Sequence, residues 1–252
     1  GGLYSLVVTD EYGCSANPAE AELFAPENLE SSYIVNNINC FGANNGSIDL
    51  TVTGGVGNYT YSWSNGATTQ DLDNLEPGLY SVVIADQNSC ENTIENIEIE
   101  EPDELTVSTI QSNYGVLCNG SNNGFIDISI DGGTGLYTYS WDNGSNTEDL
   151  TGLDPGDYDL IVSDENGCNT SVSITITEPD SLSISSTQSD YNGYSLSCNG
   201  SNIGFIDITV TGGTGVYTYA WSNGLLTEDL IDLGAGIYNV VATDSNGCVA
   251  TE

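Results

Sequence analysis

The sequence contains no lysine, arginine, histidine or methionine among its 252 residues, whereas aspartate and glutamate together number 37. Without a cationic side chain the protein can form no side-chain salt bridge, so its fold must depend on apolar burial, backbone hydrogen bonds and disulfides. The net charge of −37 also makes nucleic acid and anionic membrane surfaces poor partners. We expect the carboxylates to be spread over the surface and neutralised by cations from solution.

The same absences argue against an enzyme. With no histidine or lysine base, catalysis would depend on paired carboxylates, as in glycoside hydrolysis. The carboxylates recur in each repeat on turns and outward strand positions, which is typical of a solvated surface. Neither a long apolar run nor a CxxC pair is present, so we expect no membrane-spanning segment and no zinc site.

What the sequence does contain is one β pattern in three copies, at 41–66, 119–144 and 199–224. High acidity alone would suggest disorder. Hydrophobic residues nevertheless make up 38% of the chain, and they fall in alternating patterns that are typical of strands. We therefore expect several small, ordered β cores.

Each copy predicts two strands joined by a glycine turn. In the middle copy, isoleucines alternate with polar residues over 126–131, which indicates a half-buried strand. The Gly-Gly-Thr-Gly turn at 132–135 follows, because a tight reversal needs positive φ. Tyr137, Tyr139 and Trp141 then share one face of the second strand.

The repeat length predicts tandem domains. Cys14, Cys90, Cys168 and Cys248 follow one another at intervals of 76, 78 and 80 residues, which is too long for a solenoid repeat. Proline-containing linkers divide the chain. The predicted domains are the C-terminal part of a truncated repeat at 1–27, repeats at 28–102 and 103–180, and a repeat at 181–252 that lacks its last strand. We interpret the sequence as a fragment of a longer protein, cut inside a module at both ends.

The predicted fold class is all-β, with tandem immunoglobulin-like sandwiches of about 78 residues. In the repeat at 103–180 we predict further strands at 105–110, 158–163 and 172–177. The run Leu153-Asp154-Pro155-Gly156-Asp157-Tyr158 resembles a tyrosine corner, in which a tyrosine after a tight turn opens a late strand of such a sandwich. A polar loop leads from the first strand to Cys118.

The seven cysteines allow two patterns of disulfides. The three pairs Cys40–Cys90, Cys118–Cys168 and Cys198–Cys248 are each 50 residues apart, which favours bonds within a domain, with Cys14 bonded to an upstream partner. The alternative joins neighbouring modules as Cys14–Cys40, Cys90–Cys118 and Cys168–Cys198, and leaves Cys248 unpaired. We prefer the first pattern, which indicates an oxidising, extracytoplasmic compartment.

Taken together, the motifs C-N-G-S-N-x-G, G-G-T-G-x-Y-T-Y-x-W-S-N-G, T-E-D-L, G-x-Y and D-x-N-G-C resemble the SprB repeat family. This resemblance covers nearly the whole chain. It implies tandem modules of a very large surface protein of Bacteroidetes, export by the type 9 secretion system, and a role in adhesion or gliding motility. It implies no catalytic residue, and the absence of lysine and arginine is unexpected for the family.

Three kinds of site remain as candidates. The aromatic stripe at 137–141 is either a carbohydrate platform or part of the core, and its alternation on one face favours the core. The motif Asp180-Ser181-Leu182 resembles an O-glycosylation signal of the same bacteria, which makes Ser181 a candidate. Carboxylates in the hairpins and linkers would suit Ca²⁺, although Asp and Asn also favour turns for backbone reasons alone. The candidate Ca²⁺ ligands are Glu101, Asp103, Glu104, Asp164, Glu165, Glu178, Asp180 and Asp244.

The sequence therefore predicts a structural segment of a stalk or filament in a secreted cell-surface adhesin. Its expected partners are neighbouring repeats of the same chain, and a surface polysaccharide or other filament subunits are further candidates. The alternative function is a module that itself binds carbohydrate.

Overall fold

The computed structural model describes residues 1–110 and 115–252, which form two compact units, Gly1–Glu104 and Leu105–Glu252. Every regular element in these ranges is a β-strand. Within the same ranges, no helix is long and apolar enough to cross a membrane. The polar loop predicted before Cys118 includes residues 111–114, which lie outside the described residues.

The module at 28–102 consists of two three-stranded antiparallel sheets. One has the order β3-β4-β6 and the other has the order β5-β7-β8. In immunoglobulin nomenclature these are strands A-B-E and C-F-G, so the module has an immunoglobulin-like topology without strand D. The strands are β3 (Glu30–Asn36), β4 (Gly46–Thr53), β5 (Thr60–Trp63), β6 (Leu72–Leu75), β7 (Gly78–Ala85) and β8 (Glu91–Ile99). Before them, β1 (Gly2–Leu6) and β2 (Ala19–Leu23) form a separate hairpin.

The modules in the second unit repeat this topology. In the module at 103–180, strand B is divided into β10 and β11, which pair with β13 and β9, and the other sheet is β12-β14-β15. The module at 181–252 has the sheets β16-β17-β19 and β18-β20-β21. The strands are β9 (Thr106–Thr109), β10 (Gly124–Ile126), β11 (Ile128–Asp131), β12 (Thr138–Trp141), β13 (Leu150–Leu153), β14 (Gly156–Ser163), β15 (Asn169–Ile176), β16 (Ser183–Gln188), β17 (Gly204–Thr211), β18 (Thr218–Trp221), β19 (Leu230–Leu233), β20 (Val240–Thr243) and β21 (Val249–Thr251).

Each module has its own apolar core, as the alternating pattern predicts. In the module at 103–180, Ile126 and Ile128 from one sheet pack with Trp141, Leu160 and Ile176 from the other. The modules at 28–102 and 181–252 have equivalent clusters around Trp63 and Trp221. A buried tryptophan on strand C is a hallmark of the immunoglobulin-like sandwich, so the predicted fold class is confirmed.

The tyrosine corner is also confirmed. The Tyr158 hydroxyl donates a hydrogen bond to the Asp154 carbonyl oxygen at 2.9 Å. Tyr80 bonds to Glu76 in the same way at 2.9 Å, and Tyr238 bonds to Gly234 at 3.1 Å. The bond fixes the turn that leads into strand F, because the phenol reaches back four residues along the chain.

Two sequence-based expectations need correction. The module at 181–252 does not lack its last strand, because residues 249–251 form β21 and pair with β20. Strand E was not predicted from the sequence. The buried leucines of β13 are Leu150 and Leu153, three residues apart, whereas a regular strand places every second residue on one face. An irregular register with strand B, together with the positive φ of Gly152, allows this spacing.

Two glycines of the module at 28–102 provide a matched test of close packing. Gly54 and Gly66 both have positive φ, but a Cβ on Gly54 would overlap the Asn28 carbonyl oxygen, whereas a Cβ on Gly66 meets nothing within 4 Å. We expect Gly66→Ala to reduce the free energy of unfolding by about 1 kcal/mol, from backbone strain alone. We expect Gly54→Ala to reduce it by about 3 kcal/mol, since a steric clash is added. Urea unfolding measures both, and equal losses would contradict the packing of the turn against residue 28.

Candidate functional site: the linked ends of the modules

The aromatic stripe lies in the core. Trp141 is buried, and its indole N–H donates to the Thr147 carbonyl oxygen at 2.9 Å. Tyr137 packs against the core and donates its hydroxyl to the Gly132 carbonyl oxygen at 2.7 Å. The same bonds recur from Trp63 to Thr69, Trp221 to Thr227, Tyr59 to Gly54 and Tyr217 to Gly212. A carbohydrate platform needs exposed ring faces, so the prediction of a core role is confirmed.

The module at 181–252 contains a cavity of about 600 Å³. It is lined by Gly204 and Leu233, which are equivalent to Gly124 and Leu153. In the preceding module, Ile176 packs onto Gly124, with a methyl carbon 3.0 Å from the position of a Cβ on that glycine. In the module at 181–252 the Leu196 side chain takes this place, with a methyl carbon 3.0 Å from the position of a Cβ on Gly204, and Leu196 also lines the cavity.

The first functional element is the hairpin turn between strands F and G, residues 86–90, 164–168 and 244–248. In the turn at 164–168, the Asp164 side chain is buried. One carboxylate oxygen accepts the backbone N–H of Cys168 at 2.8 Å, and the other accepts the backbone N–H of Thr134 at 2.9 Å. One aspartate therefore holds the cysteine in the hairpin turn and the glycine-rich turn between strands B and C.

Asp86 and Asp244 make the same bonds. The backbone N–H of Cys90 is the main cause of the lowered pKa of Asp86. For Asp164 and Asp244, burial acts to raise the pKa, but the hydrogen bonds together outweigh burial, so both pKa values also lie below the ordinary range. These carboxylates stay ionised because backbone donors surround them.

The second element is the cysteine loop between strands A and B, residues 40–46, 118–124 and 198–204. In the loop at 118–124, the Gly120 N–H donates to the Glu178 carboxylate at 2.8 Å, and the Asn119 side chain donates to the Pro179 carbonyl oxygen at 3.0 Å. In the loop at 40–46, Gly42 bonds to Glu101 in the same way at 2.9 Å. Each of these loops is therefore attached to the end of its own module, directly before the linker.

A disulfide joins the cysteine loop of one module to the hairpin turn of the next. Cys118 is bonded to Cys248 across a sequence separation of 130, with a Cα–Cα distance of 5.6 Å. Beside it, the Asn246 side chain donates to the Leu117 carbonyl oxygen at 3.0 Å, and the Cys248 sulfur lies 3.3 Å from the same oxygen. On the other side of the linker, the Gly213 N–H donates to the Asp180 carbonyl oxygen at 2.8 Å. The disulfide and these hydrogen bonds tie the modules at 103–180 and 181–252 together at their junction.

This bond corrects the predicted disulfides. Cys118 and Cys248 are bonded to each other, so the predicted pairs Cys118–Cys168 and Cys198–Cys248 are wrong. Cys40 and Cys168 are also disulfide-bonded, whereas Cys14, Cys90 and Cys198 are exposed free thiols. The pair Cys40–Cys90 is therefore wrong as well. The alternative pattern fails too, because Cys90–Cys118, Cys14–Cys40 and Cys168–Cys198 each include a free thiol. An upstream partner for Cys14 stays a prediction.

The physical reason is the length of strand G. Cys168 comes directly before the eight residues of β15, and the loop that carries Cys118 is bonded to residues just after β15. A strand rises about 3.3 Å per residue, so the two cysteines are separated by about 26 Å along the sandwich. A disulfide requires Cα atoms within about 7 Å. The cysteines of one module thus lie at its opposite ends.

The carboxylates proposed as Ca²⁺ ligands have various environments. Asp164, Asp244, Glu101 and Glu178 accept the backbone hydrogen bonds described above. The remaining candidates, Asp103, Glu104, Glu165 and Asp180, are exposed. In residues 1–110 and 115–252, no group of three or more carboxylates and cysteines is arranged to hold a metal ion. Ser181, the glycosylation candidate, is exposed, and its modification stays a prediction.

Sequence reasoning missed two features of the junction, the partner of Cys118 and the role of Asn246. The sequence did contain a signal for the partner of Cys118, because each hairpin cysteine directly precedes a strand that ends at the next linker. In an immunoglobulin-like topology this places the two cysteines of a module at opposite ends. The asparagine carries no signal, since Asn also suits the turn itself.

Comparison with known proteins agrees with the motifs. The sequence pattern of the SprB repeat matches residues 32–68, 115–146 and 195–226. These segments are SprB repeats. Each match covers strands B and C with their glycine-rich turn, and each also contains the whole cysteine loop. Among proteins of curated function, none matches the chain.

Several solved structures resemble the fold of these SprB repeats. Three N-terminal domains of the outer capsid protein Hoc of bacteriophage RB49 are 17% identical, with a TM-score of 0.47, covering 89% of this chain and 97% of that one. A fragment of intimin, solved with the intimin-binding domain of its receptor Tir, is 13% identical with a TM-score of 0.34, covering 64% and 67%. The fibronectin(III)-like modules of CbhA from Clostridium thermocellum are 12% identical with a TM-score of 0.29, covering 59% and 95%. At these values the likenesses carry no argument about function.

The hairpin aspartate can be tested with Asp164→Asn. The amide keeps the size of the side chain but removes the charge that backbone N–H groups stabilise, so we expect the melting temperature at pH 7 to fall by several degrees. Because the pKa of Asp164 is lowered on folding, its contribution is fully present above about pH 3.9 and is lost as the pH falls through the lower, folded-state value. The difference between the two proteins should therefore disappear in acid.

The matched control is Asp131→Asn, which removes the same charge from an exposed position on β11. Since the chain carries a net charge of −37, this control corrects for reduced charge repulsion. Differential scanning calorimetry between pH 2 and pH 7 gives the comparison. A constant difference between wild type and Asp164→Asn over that range would refute the role of the ionised carboxylate.

Proposed function

We propose that this chain is a mechanical segment of a stalk or filament in a secreted cell-surface adhesin, without catalytic activity. The SprB repeats and the disulfides support an extracellular surface location. Export by the type 9 secretion system and a part in gliding or surface attachment belong to the same proposal. Neighbouring repeats are the partners that it requires.

One observation carries the proposal, namely the disulfide between Cys118 and Cys248 across the linker. Within a module such a bond would mainly stabilise the fold. Between modules it fixes two sandwiches at their junction and also changes the path of tension. Force applied to the chain on either side of this disulfide reaches Cys118 and passes through the covalent bond to Cys248, so the intervening residues carry little of that load.

The chain-entropy model assigns about 5 kcal/mol of stabilisation to closing a loop of this length. For a stalk, this gain in folding stability matters less than how far the segment extends under tension. Without the bond, two small sandwiches held by hydrogen bonds would unfold one after the other under tension. With the bond, the disulfide limits how far the pair of modules can extend under tension.

Single-molecule pulling tests this mechanism. With the chain held at residues 115 and 252, we expect no unfolding extension in the oxidised protein from the residues between Cys118 and Cys248. Reduction should release an additional extension of up to about 450 Å, since about 130 residues span roughly 3.5 Å each when extended. The double variant Cys118→Ser, Cys248→Ser tests this bond alone, and Cys198→Ser is the matched control. Equal extension in the oxidised wild type and the double variant would overturn the proposed mechanism.

Calcium at the linkers is a further part of the proposal, supported by the exposed carboxylates Asp103, Glu104 and Asp180 beside the module boundaries. If Ca²⁺ binds the folded protein there, millimolar Ca²⁺ should raise the melting temperature by mass action. Sodium chloride at matched ionic strength should raise it much less, because it only screens repulsion. Equal effects of the two salts would show that screening accounts for the whole response.

A further inference from the structure

The exposed free cysteines repeat the two halves of the observed disulfide. Cys198 lies in the same C-N-G-S-N sequence as Cys118 and occupies the equivalent cysteine loop. Cys90 lies in the hairpin turn equivalent to that of Cys248, and its N–H donates to Asp86 at 2.8 Å, as that of Cys248 does to Asp244 at 2.9 Å. All three free thiols, including Cys14, are exposed.

We propose that Cys198 and Cys90 are covalent docking sites for further SprB repeats. Cys198 binds the hairpin turn of another repeat, and Cys90 binds the cysteine loop of another repeat. The partner is therefore defined by its chemistry, a thiol in an Asp-x-x-x-Cys hairpin for Cys198 and a thiol in a Cys-Asn-Gly loop for Cys90. This inference goes beyond a mechanical segment, since it specifies what the segment binds and through which atoms.

The occupied junction shows what such a loop recognises. There the hairpin contributes its cysteine and an asparagine, Asn246, that bonds to the backbone next to Cys118. The free hairpin turn has an asparagine at the same position, Asn88. An unoccupied loop and an unoccupied hairpin thus carry the groups that their bonded counterparts use.

Charge also favours this pairing. The chain repels other acidic surfaces, because it has 37 carboxylates and no cationic side chain. Residues 191–206, which contain Cys198, include no carboxylate, and neither do residues 87–90. Close approach of the two docking segments therefore brings together no carboxylates of their own.

The bond forms by thiol–disulfide exchange with a small disulfide such as oxidised glutathione. The thiolate of Cys198 attacks one sulfur of the oxidant, forms a mixed disulfide and releases one glutathione. The hairpin thiolate then displaces the second glutathione and completes the protein disulfide. Two protein thiols lose two protons and two electrons in total, and one oxidised glutathione becomes two reduced molecules.

The docking repeat has two possible sources, a second copy of the chain or a further repeat in the same polypeptide. The first arm of the test incubates the folded chain with a glutathione redox buffer and identifies bonds by mass spectrometry of non-reduced peptides. The second arm appends a further copy of residues 173–252 after Glu252. This places an added hairpin cysteine 130 residues after Cys198, the separation found for Cys118 and Cys248.

We expect Cys198 to bond to a hairpin cysteine while Cys118–Cys248 persists. In the first arm this is Cys90 or Cys14 of a second copy, since the Cys14 N–H also donates to an aspartate four residues before it, Asp10, at 2.9 Å. In the second arm it is the added cysteine. Either result supports the proposal and identifies the source. Cys198→Ser should abolish the new bond, whereas urea-unfolded chain should give mixed pairs. A free Cys198 in both arms would overturn the proposal. So would bonds that join Cys198 mainly to Cys198, because unselective oxidation of exposed thiols gives that result.

Discussion

Backbone N–H groups replace cationic side chains as the partners of carboxylates in this structure. Asp86, Asp164 and Asp244 each hold two turns together through such bonds, and Glu101 and Glu178 hold the cysteine loops. A carboxylate that accepts backbone hydrogen bonds is stabilised in its ionised form without a positive residue. A chain with no lysine, arginine or histidine can therefore place carboxylates at defined positions, provided that turns supply the donors.

The need for backbone N–H donors explains the position of the junction between modules. The hairpin aspartates order the end at which the chain enters a module, and the glutamates order the end at which it leaves. Each of these carboxylates is bonded next to a cysteine or within its loop. The same hydrogen bonds that compensate for the missing cations therefore present one cysteine at each end of the module. Because cysteines lie at both ends of a module, a disulfide between neighbouring modules requires no other structural feature.

Much of the fold could be predicted from the sequence, because the relevant signals are local. The alternation at 126–131 predicts a strand, and the turn before Tyr158 predicts a tyrosine corner. Both signals depend only on residues close in sequence, and both predictions hold. Strand E was missed because an irregular register at Gly152 breaks the alternation. The cysteine partners were missed because a spacing of 50 residues follows from the fold repeat itself, whichever bonds form. Spacing in sequence therefore carried no information about distance in space.

The direction of the strands carried that information. In the modules at 28–102 and 103–180, strand G starts beside the hairpin cysteine and ends beside the cysteine loop, so its length separates the two cysteines of the module. A small disulfide-bonded domain normally uses its cysteines to compensate for a small core. Here the alternating isoleucines and a buried tryptophan give each module its own core. The cysteines are thus available for another purpose, and Cys118 and Cys248, at the ends of their modules, connect two modules.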